Sequence, residues 1–378
     1  MNIFNEVPTP CYLIDEVKIR QNCEILDTVQ KKTGAKILLA LKAYALPSTF
    51  PLISQYLCGV CASGPIEARL GREEFGKEVH TYAPAYSEED FNEVVRYSDH
   101  IIFNSLNQLK LFKKRALQKK DIEIGMRVNP KHSEVKVKLY NPCAEGSRFG
   151  VLPGELKKED LEGLHGLHFH ALCEQGADVF VRVLNAFESH FGKFLDGLKW
   201  VNFGGGHHIT REDYDVELLC KTITGFRKRY DGIDVYLEPG EAVVLNAGYL
   251  VSTVLDVLDR ELKIAILDTS AETHMPDVLA MPYRPSIIGA GKPDEFGYTY
   301  RLGGISCLAG DVIGDYSFKS PLKRGDRLVF EDMALYSFVK NTTFNGVKLP
   351  HLIVFNSEKG SYKIVRSFGY EDYKSRIS

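Results

Sequence analysis

The sequence is short of any charge imbalance. Among its 378 residues Lys and Arg number 47 and Asp and Glu 50, a formal net charge of −3. Such a balance gives no electrostatic case for nucleic acid or an anionic membrane as partner. Long hydrophobic runs are missing too, and none approaches the roughly 20 residues that cross a bilayer. The start, Met1-Asn2-Ile3-Phe4-Asn5-Glu6, lacks the basic and apolar regions of a secretory signal, so a cytoplasmic protein is expected. Cysteines are few and scattered, eight in all, which favours reduced thiols over a disulfide framework. Cys58 and Cys61 match a CxxC spacing, but no second pair completes a zinc site, and a packed strand is the better reading. There is no internal repeat and no low-complexity segment.

What is present is alternation. Strand-like runs occur at Lys36–Ala43, Leu57–Ser63, Val79–Ala85, His100–Ser105, Glu123–Pro130, Leu164–Ala171, Lys199–Gly206 and Asp234–Gly240. Between them Pro65–Phe75, Glu88–Tyr97 and Asn107–Gln118 carry apolar residues at helical spacing. Eight strands alternating with helices predict an α/β fold, a (β/α)8 barrel over residues 16–246. The long gap after Pro130 holds extra, loop-like structure around Asn141–Gly150. Beyond Gly248 the pattern changes to short strands, Tyr249–Leu258, Leu262–Asp268, Leu328–Phe330, Leu352–Phe355 and Tyr362–Val365, split by Gly, Pro and Asp. Residues 247–378 therefore read as an all-β domain, joined by an N-terminal strand within residues 1–15, around Pro10–Ile14.

Barrels of this kind place reactive groups at the C-terminal ends of their strands. Lys42, Arg127, His170, the run Gly204–Gly206 and Glu238 fall at such ends. A lysine ending an apolar strand is costly to desolvate unless it is paired, exposed or used, and an amine pushed toward neutrality is a good Schiff-base former. Glycines there let backbone amides approach a phosphate. A carboxylate such as Glu238 can keep a pyridine nitrogen protonated, and His170 can lie against a ring. The plainer readings are a snorkelling lysine, a tight turn, a paired carboxylate and a core histidine. A rival constellation is His165, His168, His170, His207 and His208, which suits a metal-dependent hydrolase. Carboxylates at neighbouring strand ends are sparse, however, and such a hydrolase leaves the β-rich C-terminal part without a role; no metal is expected.

In these motifs, with Cys61-Ala62-Ser63, Glu67, Phe169-His170, Glu238-Pro239-Gly240, Gly303–Gly310 and Met333-Ala334-Leu335-Tyr336, the chain resembles the fold-type III pyridoxal-phosphate enzymes, the alanine racemase and ornithine/diaminopimelate decarboxylase group. The likeness is greatest to its carboxynorspermidine (carboxyspermidine) decarboxylase branch. It rests on His170-Ala171-Leu172-Cys173-Glu174, Glu238-Pro239-Gly240-Glu241, His274–Leu279, Ser306–Asp311 and Asn341–Gly346. The resemblance implies pyridoxal 5'-phosphate as cofactor, bonded to Lys42. His170 would stack on its ring and Glu238 would meet the pyridine nitrogen. Gly205, Gly206, Gly240 and Tyr336 would surround the phosphate, with Arg127 among the cofactor contacts. It implies a homodimer with shared sites, in which Cys307, the candidate proton donor to the α-carbon, and Asp311 come from the partner subunit. Three departures stand out: Glu241 replaces an arginine that many relatives carry, Cys173 a serine, and Val60 an aspartate.

The expected reaction is decarboxylation of a carboxylated polyamine in polyamine biosynthesis. A cationic distal end would be received by acidic residues, with Glu272, Asp277, Asp311 and Asp315 as candidates. Other readings are a diaminopimelate or other basic amino-acid decarboxylase, a racemase, or a non-catalytic cofactor-binding or regulatory protein. Diaminopimelate decarboxylases typically carry Arg-Pro near Met281-Pro282, where this chain has no arginine.

Overall fold

Eight buried apolar runs become eight parallel strands that close on themselves. In the computed structural model, which describes residues 3–378, β1 is Cys11–Asp15. The barrel then runs β2 (Lys36–Ala40), β3 (Gly59–Ala62), β4 (Glu78–Tyr82), β5 (His100–Phe103), β6 (Glu123–Arg127), β7 (Gly166–His168), β8 (Trp200–Asn202) and β9 (Asp234–Leu237). β9 pairs back onto β2 through Lys36↔Tyr236 and Ile37↔Leu237. Most strand residues are buried whichever way they point, as a parallel sheet filled inside and covered outside requires. Leu38, Ile102, Trp200 and Tyr236 form one buried cluster drawn from four of these strands.

The outer helices follow local rules. Glu88–Tyr97 begins at Ser87, whose hydroxyl accepts from the Asp90 amide. Its acidic first turn faces the helix dipole, and Phe91, Val94 and Tyr97 make the buried stripe. Ser105 and Asp215 cap Leu106–Ala116 and Val216–Arg229 in the same way. The connection from β6 to β7 holds only two short turns of 3-10 helix, Lys138–Tyr140 and Lys158–Leu161. All eight cysteines are free thiols.

The chain divides into two compact units, one of Arg20–Val243 and one of the residues up to Ile19 together with Val244–Ser378. In the second, the sheet order is β13-β12-β11-β10-β1-β15-β16, with β14 also on β10. These strands are β10 (Gly248–Leu258), β11 (Ile264–Leu267), β12 (Tyr298–Gly303), β13 (Val312–Phe318), β14 (Arg327–Glu331), β15 (His351–Asn356) and β16 (Ser361–Arg366). The long β10 serves three neighbours. Its first half lies between β1 and β14; after an irregularity between Val254 and Asp256 its second half pairs with β11. β12 and β13 are absent from the sequence reading. Gly314 and Asp315 sit inside β13, and neither residue type favours strands.

Candidate active site at the barrel mouth

Lys42 lies beyond the strand that the apolar run suggested. The ladder ends when the Leu41 amide donates to Cys61 O at 3.1 Å; the Ala43 and Tyr44 amides then turn back to Ala40 O at 3.1 and 3.3 Å. This turn carries Lys42 into the open while Leu41, Ala43 and Tyr44 stay buried. The expectation of an amine wrapped in apolar surroundings is therefore corrected: the side chain is exposed. Its charge still reaches inward, acting on Cys61, Glu67, His168, His170 and Cys173.

Glu238 follows β9 directly. Asn202 Nδ2 donates to its Oε1 at 2.7 Å, and His168 Nε2 lies 3.2 Å from Oε2. Burial alone would keep this carboxyl protonated. His168, His80 and Asn202 together outweigh burial and bring it down to about 2, so it is ionised at neutral pH. Asn202 also accepts from the Gly204 amide at 2.8 Å, coupling the carboxylate to the glycine turn.

His170 follows β7. Its Nδ1 accepts from the Gly205 amide at 3.0 Å, and its carbonyl accepts from Arg127 at 3.3 Å. Burial, then the nearby Lys42 and Arg127 charges, push the imidazole well below its usual range and keep it neutral. Arg127, ending β6, is held between two rings, 4.5 Å from the centroids of Tyr82 and Phe149. Its contacts fix His170. The Gly205 amide, expected to face a phosphate, is likewise committed to that histidine.

The glycines are needed for space. A Cβ on Gly205 would lie 2.0 Å from Glu238 O, and on Gly206, at φ +86°, 2.0 Å from Leu172 O. One on Gly240 would lie 2.5 Å from Ala43 Cβ. The loops after the seventh and eighth barrel strands thus meet backbone to backbone, in the part of this fold where phosphates are commonly bound. An exposed amine, a buried ionised carboxylate and this cradle fit pyridoxal phosphate. Lys42 would hold it, Glu238 would meet its ring nitrogen, and Gly206 and Gly240 would flank its phosphate.

The rival histidines have other partners. His165 Nδ1 accepts from the Ile124 amide, His207 pairs with Tyr214 Oη at 2.8 Å, and His208 with Glu241 at 2.7 Å. Among the described residues the one set with metal-ligand potential is Glu78, His80 and His100, with ligand atoms within 4.8 Å of one another. The two imidazoles are stacked, centroids 3.8 Å apart and 13° from parallel. Their nitrogen lone pairs therefore run side by side, whereas ligands of one ion must converge.

In the sheet unit, Asp311 is buried and its carboxylate accepts from Ser270 Oγ, Ala271 N, Glu272 N and Ser306 N at 2.7–3.3 Å. Four donors from its own chain make it a brace for the Cys307 loop. The exposed Cys307 donates its amide to Asn345 Oδ1 at 2.7 Å. Asp277 pairs with Lys340, and Asp315 makes a bidentate contact with Arg301 at 2.8 and 2.9 Å. Glu272, half-buried in the first turn of Ala271–His274, has no side-chain partner among the described residues. Tyr336 takes a positive φ of 56°.

Sequence reasoning missed His168 and Asn202 as the supports of Glu238, and Tyr82 and Phe149 as the walls around Arg127. A signal existed for the first pair: both are the last residues of their strands, and they are register partners.

Residues 11–334 match the family model described as pyridoxal-dependent decarboxylase, C-terminal sheet domain. The chain is 45% identical to the carboxynorspermidine/carboxyspermidine decarboxylase of Campylobacter jejuni, over 99% of each chain. It is 42% identical to the carboxyaminopropylagmatine decarboxylase of Synechocystis, over 99% of this chain and 96% of the other. The crystal structure of carboxynorspermidine decarboxylase from Campylobacter jejuni, complexed with norspermidine, superposes with a TM-score of 0.91 at 43% identity, covering 98% of this chain and 100% of that one.

Proposed function

We propose that this chain, which belongs to the pyridoxal-dependent decarboxylases with a C-terminal sheet domain, decarboxylates carboxynorspermidine and carboxyspermidine to norspermidine and spermidine. The observation that carries the chemistry is the Glu238 carboxylate, ionised inside the barrel by His168 and Asn202 and placed at the same end as Lys42. Bound pyridoxal phosphate supplies the electron sink for the pair left behind when carbon dioxide departs. The chain supplies the rest. Lys42 offers the amine that anchors the cofactor and yields to the substrate amine. Glu238 keeps a proton on the pyridine nitrogen, and neutral His170 packs against the ring without competing for that proton.

Cys307 returns a proton to the α-carbon; its loop is braced by Asp311 and Asn345. Glu272, a candidate carboxylate whose side chain has no partner among the described residues, receives the distal ammonium of the substrate. Our reading is a cytoplasmic homodimer in which the partner copy's Cys307 loop completes each site. A fully active monomer at low protein concentration would overturn that last point.

A second substrate has a specific basis, the 42% identity to a carboxyaminopropylagmatine decarboxylase. The test is carbon dioxide release from carboxynorspermidine, carboxyspermidine, carboxyaminopropylagmatine and diaminopimelate, each with wild type and Glu272→Gln. We expect the two carboxypolyamines to lead in kcat/KM. Glu272→Gln should raise their KM about 10-fold, the size of one lost charge-assisted contact. Preference for diaminopimelate, or no turnover at all, would sink the assignment.

A further inference from the structure

The loops after the seventh and eighth barrel strands hold a charged pair for which the mechanism above has no use. His208 lies two residues past the glycine run, and Glu241 directly follows Gly240; Nε2 and Oε2 are 2.7 Å apart, and both side chains are nearly buried. Around them stand Glu174, in the loop after the sixth barrel strand at a positive φ of 54°, and Arg211, whose Nη1 donates to Glu174 O at 3.4 Å. His207, the other neighbour, is engaged with Tyr214. Two carboxylates beside a phosphate cradle would repel a dianion unless a cation stood with them. Arg211 is half-exposed and also held by Asp213. His208 is the nearly buried group that can supply it: it follows the glycine run by two residues and bonds the carboxylate that follows Gly240.

We propose that His208, oriented by Glu241, is the positive group that the cofactor's phosphate meets in this barrel, so that phosphate-dependent cofactor binding follows the charge of that imidazole. This rests on the reading of a pyridoxal-phosphate site at the barrel mouth. The electrostatics agree with the geometry. Burial disfavours the charged imidazole, but Glu241 and then Glu174 overcome that, against Arg211, and raise its proton affinity above the ordinary histidine value. The carboxyl of Glu174 is raised in turn: burial and then Glu241 push it up, and the His208 and Arg211 charges pull it back without cancelling the rise. Cys173, raised to about 12 by burial and then by Glu241 and Glu174, contributes no charge. The pair therefore brings a proton-dependent cation to a wall otherwise built of backbone and carboxylates.

The sign follows. A raised proton affinity lets His208 hold its charge to higher pH than an ordinary histidine, and phosphate binding weakens as pH climbs past its titration. The experiment uses the full chain freed of cofactor. It is titrated with pyridoxal 5'-phosphate and, separately, with pyridoxal, which lacks the phosphate, and dissociation constants are read from fluorescence quenching across pH 6 to 9. His208→Gln should weaken pyridoxal 5'-phosphate about 10- to 100-fold at the acid end and flatten the pH profile. Its affinity for pyridoxal should stay unchanged, which also shows that the variant is folded. Glu241→Gln should move the falling limb to lower pH, and His208→Lys should restore affinity without that limb. Equal losses for both probes, or an unmoved limb in Glu241→Gln, would overturn the proposal while leaving the cofactor reading intact. Wild type that binds neither probe would overturn both.

Discussion

The N-terminal ends of the barrel strands gather Glu78, His80, His100 and Glu123 with Lys36, Lys199 and Tyr236. The C-terminal ends gather Arg127, His168, Asn202 and Glu238 with Lys42 nearby. Both sets are histidines, carboxylates and cations on neighbouring strands of one barrel. At the N-terminal end the carboxylates are saturated from within. Glu78 is met by His80, Tyr236 and Lys36, and Glu123 by Lys199 and the Trp200 indole. The His80 and His100 rings stack on each other. At the mouth, Glu238 is met by His168 and Asn202 with the Cys61 thiol beside it, and the turn after β2 lifts Lys42 into the open. The same chemistry becomes a plug at one end and a site at the other, because at the mouth the loops leave donors and acceptors for a ligand.

The largest effect expected at either end is that of Glu238→Gln. On the proposed role of Glu238 it removes the charge that would maintain a protonated ring nitrogen, and kcat should fall about 100- to 1,000-fold, the range for one electrostatic group acting on developing charge. Thermal stability should change little, since the amide keeps the hydrogen bond to His168. Single-turnover carbon dioxide release and the unfolding midpoint, measured together, check this. A variant that lost stability and kept its rate would make the mouth a plug like the other end.

Asn202→Leu should follow, with about a 10-fold loss of kcat, the worth of one hydrogen bond to a charged group. It frees Glu238 Oε1 and the Gly204 amide together. Asn202→Asp should lift the acid limb of the kcat profile, because a second carboxylate opposes ionisation of Glu238. A limb that stayed in place would show that Asn202 is structural only.

Most of this arrangement was legible as position and little of it as partnership. Runs such as Ile37–Leu41 and His100–Phe103 announce buried strands, and the polar residues after them stand out against that background. Which residues meet is another matter. His80 and His100 lie 20 positions apart and become neighbours only through register, His80↔His100; His168 and Asn202 do so in the same way. Asp311 shows the same limit: the sequence offers it as an acid for a cationic substrate end and announces none of its partners. The folded loop instead buries it under four donors. Strand limits slipped where hydrogen bonding, not hydrophobicity, ends the ladder, as at Lys42.

His100→Leu addresses the plug. Burial, then the charges and ring of its neighbours, hold this imidazole far below its ordinary 6.5, so it stays neutral in the fold but takes up a proton when unfolded. Its contribution to stability is complete above pH 6.5 and is lost as pH falls below that value. The loss approaches about 1.4 kcal/mol per pH unit for one proton. Removing the imidazole should reduce the acid-side slope by that amount while leaving turnover at neutral pH unchanged. Urea midpoints at several pH values between neutrality and pH 5 measure it. An unchanged slope, or a loss of turnover, would break the division between the two ends.

Arg127→Lys should have the smallest effect and sharpens the comparison most finely, since this residue is a cation enclosed at the mouth. The planar guanidinium fills the slot between Tyr82 and Phe149 and still reaches His170 O. An ammonium keeps the charge but loses the stacking and the fork of donors, a cost of about 1 kcal/mol. Burial already lowers the proton affinity of Arg127, so the substituted lysine sits where desolvation favours its neutral form. If Arg127 serves to hold His170, a drop of a few degrees in the unfolding midpoint should accompany a modest fall in kcat, with cofactor affinity little changed. A large fall in cofactor affinity with the midpoint intact would instead make Arg127 a direct cofactor contact, as its place at a strand end first suggested.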